Sequence, residues 1–373
     1  MEGMGLSNFW RGRRVLVTGH TGFKGTWLCL WLERLGAEVT ALALEPVSDP
    51  SLYELAAPLA GATYLADICD GQLLGEIVRA AEPEIVLHLA AQALVRPSYA
   101  DPAGTFATNI MGTVNLLEAV RQTPSVRTVL VVTSDKVYAN DGSGRAFDEL
   151  DRMGGHDPYS ASKAGAELVC RSYAKSFFAD NRVTLATARA GNVIGGGDWA
   201  ADRLVPDIVR ALEQGRPAAL RYPEAVRPWQ HVLEPLAGYL AFAQAMYQRA
   251  FDRTWIEPLP ETLNFGPDAA DFATVAELTE AFGRRFGVDQ MWFQAPGNHP
   301  AEAPVLTLTS ERAAQVLGWQ PLLGREQTVG WTADWYDAHR QGADMRAFTL
   351  SQIAAYEELM HDEPSMPVLQ RAG

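Results

Sequence analysis

Residues 13–19, RRVLVTG, run apolar without alternation and end in glycine, the pattern of a short strand buried on both faces. A helical repeat follows over residues 25–35, with Trp27, Leu28, Leu30, Trp31, Leu32 and Leu35 apolar, and Gly36 stops it. Residues 38–44 read as a second strand. Strand, helix and strand in about 30 residues make a βαβ unit. The alternation continues with a strand at 85–89, a helix at 109–121, a strand at 126–133, a helix at 159–178 and a strand at 183–189. Continuously apolar strands alternating with helices predict an α/β fold, a Rossmann-type doubly wound parallel sheet.

Past Gly191 the pattern loosens. Gly195, Gly196 and Gly197 and many prolines mark a loop-rich region, and helical repeats return at 204–213, 235–250 and 275–286. This predicts a first domain over residues 9–190, rejoined around 231–265. A smaller, mixed α/β domain over 191–345 is interleaved with it, and residues 346–373 form a terminal helix and tail.

Composition narrows the classes. The chain has 373 residues, 47% hydrophobic and 20% charged, with a net charge of -14. That is an ordinary globular balance, and its acidity argues against a nucleic-acid partner, which needs a basic face. The longest apolar run, at 85–95, is interrupted by His88 and Gln92 and is too short to span a membrane, which takes about 20 residues. The arginines at Arg11, Arg13 and Arg14 lead into a first strand, not a signal peptide. Cys29, Cys69 and Cys170 are odd in number and have no metal spacing. No metal is expected, and reduced thiols in a cytoplasm are.

Three motifs carry chemistry. Gly19-His20-Thr21-Gly22-Phe23-Lys24-Gly25 joins the first strand to the first helix, where glycines let the backbone approach a pyrophosphate at a helix N-terminus. Its spacing is G-x-x-G-x-x-G. Glu45 lies about 20 residues beyond the last glycine, the separation of a ribose contact. It can equally be a solvated loop carboxylate. No arginine follows it, which favours NAD over NADP. Asp67 and Ile68, after the next short segment, are candidates for the adenine.

Tyr159-Ser160-Ala161-Ser162-Lys163 sets a phenol and an ammonium on one helix face. With 11 tyrosines and four lysines in 373 residues, roughly 0.1 such pair is expected by chance. A nearby lysine favours the phenolate and is expected to lower the tyrosine pKa, making Tyr159 a base for a hydroxyl. Asp157-Pro158 before it suits a helix start. Thr133-Ser134-Asp135-Lys136 ends the strand at 126–133, where ligands bind in a parallel sheet. Lysine is a scarce choice here, four of 31 basic residues, and unlike arginine it can act as a base. A carboxylic acid with a raised pKa can donate a proton.

Together, Gly19, Gly22, Gly25, Ser134, Tyr159 and Lys163 resemble the extended short-chain dehydrogenase/reductase superfamily. From about Phe9 to Trp335 the chain is similar to the nucleotide-sugar 4,6-dehydratases within it, CDP-glucose dehydratases above all. The stretches FWRGRRVLVTGHTGFKGTWL, HLAAQALVRPSY, VTSDKVY, DPYSASKAGAEL, RAGNVIGGGDW and RPWQHVLEPLAGY carry the match.

The resemblance implies a lyase that regenerates its NAD. Tyr159, with Lys163 and Ser134, oxidises C4 of the sugar; Asp135 is the acid and Lys136 the base that expel the C6 hydroxyl as water. The dTDP-glucose dehydratases carry Glu at the position of Lys136, a departure that bears on the identity of the C5 base. The implied cofactor contacts are Gly19, Thr21, Gly22, Phe23, Lys24, Gly25, Glu45, Asp67, Ile68, Leu89, Ala90, Ala91, Tyr159 and Lys163. Asn192, Arg203 and Arg227 are implied to hold a nucleotide sugar, CDP-glucose preferred. Arg189, Asp198, Trp199, Trp229 and His231 lie in the same stretches, the tryptophans and His88 reading better as core. The triple glycine is expected to bend around a phosphate. Helices near 109–121 and 167–178 suit packing into a homodimer or higher homo-oligomer. A 4-epimerase or reductase on the same fold shares Ser134, Tyr159 and Lys163 but needs no acid/base pair. A silent NAD-binding regulator would leave the intact Ser/Tyr/Lys set unexplained.

Overall fold

The computed structural model describes residues 6–57, 59–179, 183–251, 259–297 and 303–362. Seven parallel strands form the central sheet: β1 (Arg14–Thr18), β2 (Glu38–Ala43), β3 (Ala62–Leu65), β4 (Ile85–His88), β5 (Thr128–Val132), β6 (Thr184–Ala190) and β7 (Thr262–Phe265), in the order β7-β6-β5-β4-β1-β2-β3. The order reverses between β1 and β4, so a crevice opens at their carboxyl ends, where doubly wound sheets bind ligands.

Alternate strand residues point into two separate cores. Val15, Val17, Leu87, Leu130 and Ala188 meet the Phe23–Arg34 and Leu233–Phe251 helices, while Leu16, Val86, Val129 and Val131 meet the Gly71–Ala81 and Gly112–Arg121 helices. Both faces are covered, which is why these strands read as unbroken apolar runs. The first core continues into the region beyond Gly191 through Val205, Ile208, Trp319, Trp335 and Tyr356. That region is built from helices and short strand pairs, Val193–Ile194 with Gln230–His231, Val226–Arg227 with Ala273–Thr274, and Ala218–Leu220 with Trp292–Gln294.

Most expected elements lie within two residues of those observed, and the helices at 204–213 and 275–286 agree at both ends. Two readings need correction. The helix expected from Asn109 begins at Pro102, capped by Asp101, and passes through a π-turn at Ala107–Met111. Strand β3 escaped notice because all four of its residues are exposed, leaving no apolar run. The triple glycine is set by packing. A Cβ on Gly196 would overlap the Trp335 ring, Gly197 holds φ +81°, and the Gly196 carbonyl accepts Trp27 Nε1 at 2.9 Å. Glycine is required there by packing. The terminal helix is Met345–Asp362, and the expected tail lies outside the described residues.

Glu234 ties this last helix to the rest. Its buried carboxyl accepts the backbone N–H groups of Leu322 (3.0 Å) and Leu323 (2.6 Å) and the Tyr356 hydroxyl (2.7 Å). Burial pushes it up from an ordinary 4.5 to about 7, against the pull of those hydrogen bonds. A folded value above the unfolded one gives stability that is full below about 4.5 and lost as pH rises through 7. Gln at this position keeps an acceptor for the two N–H groups and a donor for Tyr356, without the titration. In urea unfolding between pH about 4.5 and about 8, the native chain is expected to lose on the order of 3 kcal/mol relative to Glu234→Gln. Parallel pH curves for the two would contradict this.

Candidate active site

The cradle at the β1–helix turn is shaped by contact. Gly19 holds φ +83°, and a Cβ on it would come within 2.7 Å of Ala90 N; a Cβ on Gly25 would overlap the Gly19 carbonyl. Gly22 caps the helix. The backbone is therefore brought close to the residues after β4, with helix N–H groups facing the opening, and this fits a dinucleotide pyrophosphate. Thr21 Oγ1 donates to the Leu44 carbonyl at 2.8 Å and pins the turn to the end of β2. Thr18 Oγ1 takes the Ala90 N–H (3.1 Å) and meets His88 Nδ1 (2.6 Å), whose other nitrogen meets Thr113 Oγ1 (3.3 Å). His88 is thus a partnered core histidine, pushed down to about 3 by burial and the Lys163 charge. Leu89 and Ala91 line the same turn. Glu45 is exposed just past β2; Asp67 is exposed and accepts the Cys69 N–H, while Ile68 is buried under Gly112.

The catalytic candidates come from two elements. Asp157 caps the Pro158–Phe177 helix, accepting the Ser160 N–H at 2.9 Å, as its sequence suggested. The helix carries Tyr159 and Lys163, both buried. The chain leaving β5 supplies Ser134, Asp135 and Lys136 in a single 3-10 turn. Ser134 Oγ donates to Asp135 Oδ1 (3.0 Å) and accepts the Lys136 N–H (3.2 Å), and Ser134 also bonds toward the Tyr159 phenol.

A buried ion pair locks these elements together. Glu167, four residues after Lys163, accepts Arg189 Nε and Nη2, both at 2.9 Å, Thr133 Oγ1 at 2.6 Å and Thr187 Oγ1 at 2.8 Å. Arg189 also donates to Tyr138 OH at 3.0 Å. It holds the framework and does not line the crevice mouth. The spacing from Lys163 to Glu167 was a signal that sequence reasoning missed. Asn109, on the π-turn, was missed as well, except as a helix start. It accepts the Gln92 N–H (2.8 Å) and donates to the Gln92 carbonyl (3.0 Å) and Ser162 Oγ (2.8 Å). It joins the loop after β4 to the tyrosine helix, and π-turns recur at functional sites.

The electrostatics differ from one expectation. Burial pushes the Tyr159 phenol up to about 12, and the Ser134 hydrogen bond opposes this only in part. Burial also takes the neighbouring Lys163 down to about 8, and its ammonium donates to the Val132 carbonyl at 3.2 Å. Burial also raises the Asp135 carboxyl, opposed by Lys136, Ser134, Arg227 and Lys24, and no described residue bonds its Oδ2. Lys24 falls to about 7, by burial first and then by the Arg203 and Lys163 charges.

Of the substrate candidates, Arg203 pairs with Asp198 (2.9 Å) and its charge reaches Tyr159 and Lys24. Arg227 is buried, donates to the Val226 carbonyl (2.8 Å) and acts on Asp135. Asn192 is half-buried and its carbonyl accepts the Gln230 N–H at 3.2 Å. Trp199 and Trp229 are core residues, the latter donating to Ala273 O (3.1 Å), and His231 is enclosed by Trp27 and Trp331. Of Arg227, Trp229 and His231, Arg227 is the one whose charge acts on a catalytic candidate. Among the described residues no three His, Cys, Asp or Glu side chains converge to hold a metal, and no helix is long and apolar enough to cross a membrane.

A Rossmann sheet with a glycine cradle facing a Ser-Tyr-Lys set defines a nicotinamide-dependent enzyme class, and the chain belongs to the NAD dependent epimerase/dehydratase family, whose pattern matches residues 15–252. It is 44% identical over 357 residues to CDP-glucose 4,6-dehydratase of Salmonella typhimurium, covering 94% of this chain and 97% of that protein. It is 26% identical over 367 residues to dTDP-glucose 4,6-dehydratase of Xanthomonas campestris, covering 91% and 98%. A dTDP-glucose 4,6-dehydratase from Streptomyces venezuelae, solved with NAD, superposes with a TM-score of 0.76 at 23% identity, over 88% of this chain and 98% of that one. UDP-glucose 4-epimerase of Thermus thermophilus, also with NAD, gives 0.74 at 25% identity, over 87% and 98%.

Removing one member of a buried ion pair leaves an uncompensated charge, which costs about 3–5 kcal/mol. Arg189→Met is therefore expected to lower the urea unfolding free energy by about that amount. A loss under about 1 kcal/mol would mean that Glu167 is satisfied by its threonines alone.

Proposed function

We propose that this chain is a nucleotide-sugar 4,6-dehydratase, a hydro-lyase that converts CDP-glucose to CDP-4-keto-6-deoxyglucose and water. The observation that carries the reading is the Asp135–Lys136 pair at the end of β5, whose Asp135 acts on Tyr159, in a chain alike over nearly its whole length to a CDP-glucose dehydratase. An epimerase needs the tyrosine but has no use for a second acid and base.

Gly19, Thr21, Gly22, Phe23, Lys24 and Gly25, the turn Leu89-Ala90-Ala91, and Glu45, Asp67 and Ile68 at the adenosine end would hold NAD, with Tyr159 and Lys163 at the nicotinamide end. NAD, when bound, would supply the hydride acceptor and donor that the sugar needs. Tyr159 takes the C4 hydroxyl proton, and Ser134 fixes that hydroxyl. The phenol needs added positive charge to act near neutrality, since the protein alone holds it high. Lys136 takes the C5 proton made acidic by the new ketone and gives it back to C5 as the hydride reaches C6. Asp135, whose carboxyl burial raises above the ordinary range, gives a proton to the departing C6 hydroxyl. Asn192, Arg203 and Arg227 hold the substrate, the arginines through its diphosphate.

We assign residues 9–190, with the return through 231–265, to the cofactor half and 191–345 to the substrate half. The free cysteines suit a reducing cytoplasm. Exposed Phe106, Met111 and Leu168 give the helices over 102–121 and 158–177 an apolar face for a homodimer or larger homo-oligomer.

Lys136→Ala is expected to retain C4 oxidation and to slow elimination by about 100-fold or more, the usual contribution of a positioned base. Offered CDP-, dTDP- and UDP-glucose and GDP-mannose, the native enzyme is expected to yield a 4-keto-6-deoxy sugar from CDP-glucose, read by NMR. Normal dehydration by Lys136→Ala would remove its role as base, and a C4 epimer from any substrate would replace the reading.

A further inference from the structure

The Asp135 side chain is buried, and its two oxygens are held differently. Oδ1 accepts the Ser134 hydroxyl at 3.0 Å, whereas Oδ2 is shielded and has no hydrogen-bond partner among the described residues. What Oδ2 meets is Gly191, the residue after β6. A Cβ placed on Gly191 would stand 2.6 Å from Asp135 Oδ2, 3.2 Å from its Cγ and 2.8 Å from Pro228 Cγ. The carboxyl and the proline ring take up the space that a side chain at 191 would need.

The backbone does not ask for glycine here. Gly191 lies outside the left-handed region, unlike Gly19 and Gly197. Nor can it draw back. Ala190 is in register with Phe265 of β7, and the Gln230 side-chain amide donates to the Phe265 carbonyl at 2.9 Å and to the Gly191 carbonyl at 3.5 Å. The Asn192 carbonyl accepts the Gln230 N–H at 3.2 Å. Pro228 stands between Arg227, paired in a strand with Ala273, and Trp229, whose indole donates to the Ala273 carbonyl at 3.1 Å. Backbone and ring are thus fixed, and the movable group is the end of the Asp135 side chain. A methyl group at 191 would turn the carboxyl and break its bond with Ser134, because crowding is relieved where a rotamer can give. The same walls leave Oδ2 without a donor, and burial of this kind raises the carboxyl.

We propose that Gly191 is a positioning residue for the elimination: its missing side chain makes a slot, closed by Pro228, that holds the Asp135 carboxyl in the orientation from which it protonates the departing C6 hydroxyl. The slot acts on the elimination and not on C4 oxidation. Tyr159 and Lys163 stand on a separate helix, and Ser134 keeps its bond toward the phenol. The inference rests on the dehydratase reading above.

The test compares NAD-loaded Gly191→Ala, Asp135→Ala and the double variant in single turnovers of CDP-glucose. NADH absorbance follows C4 oxidation, and quenched samples follow the 4-keto-6-deoxy sugar. Gly191→Ala is expected to oxidise C4 within about twofold of the native rate and to form product about 100-fold more slowly, as a displaced catalytic group does, so that NADH accumulates. In the Asp135→Ala background the same substitution is expected to slow product formation by less than about threefold, since the group it displaces is gone. A crystal structure of Gly191→Ala is expected to show the carboxyl turned away from Ser134. Equal slowing of both steps, an undiminished effect in the Asp135→Ala background, or an unmoved carboxyl overturns the proposal. Should Gly191→Ala fail to fold, the double variant, in which the space is freed, is expected to fold as Asp135→Ala does, and its failure to do so overturns the slot. A turned carboxyl in an enzyme that does not dehydrate CDP-glucose would sustain the slot and defeat the dehydratase reading. Normal dehydration by Gly191→Ala defeats the proposal alone.

Discussion

The contact between Glu167 and Arg189 fixes the relation of every catalytic candidate to the sheet. Glu167 belongs to the helix of Tyr159 and Lys163, Arg189 to β6, and the threonines that complete the cluster stand at the end of β5 and in β6. Thr133 immediately precedes Ser134, so a hydrogen bond to it sets where the Ser134-Asp135-Lys136 turn begins. Arg189 precedes Asn192 by three residues on the strand that leads to the substrate candidates. A buried ion pair of this kind is weak evidence for net stability. Its worth here is positional, with Arg189 Nε and Nη2 and both carboxylate oxygens of Glu167 committed to one geometry.

Burial also sets the chemistry. The chain is acidic as a whole, yet Lys24, Lys136, Lys163, Arg203 and Arg227 gather about Asp135 and Tyr159. Desolvation moves the Lys24 and Lys163 amines down to about 7 and 8, and the Asp135 carboxyl up. Groups that would be fixed in charge in water are brought toward the range in which protons can be exchanged. Tyr159 moves the other way, and the same desolvation explains it, because the phenolate is the charged form.

The elements legible in the sequence are those whose signal is local. The buried strands β1, β4, β5 and β6 are continuous apolar runs, and the amphipathic helices at 204–213 and 275–286 have clear ends. Gly19 and the Tyr159–Lys163 pair declare themselves through backbone demands and spacing. Exposed β3 carries no pattern. The role of Gly196 depends on Trp335, distant in the chain, so its need for glycine could not be read locally. Arg189 and Arg203 are alike as arginines after strands or in loops. Only burial and partners, Glu167 for one and Asp198 for the other, separate a framework residue from one facing the crevice.

In the proposed reaction a hydride leaves C4 and returns at C6 while water is lost between C5 and C6. CDP-glucose carrying deuterium at C4, incubated with the enzyme and NAD and read by NMR and mass spectrometry, follows that hydride directly. Deuterium is expected in the C6 methyl group of a 4-keto-6-deoxy product. Deuterium still at C4, in a sugar with that centre retained or inverted, would contradict it.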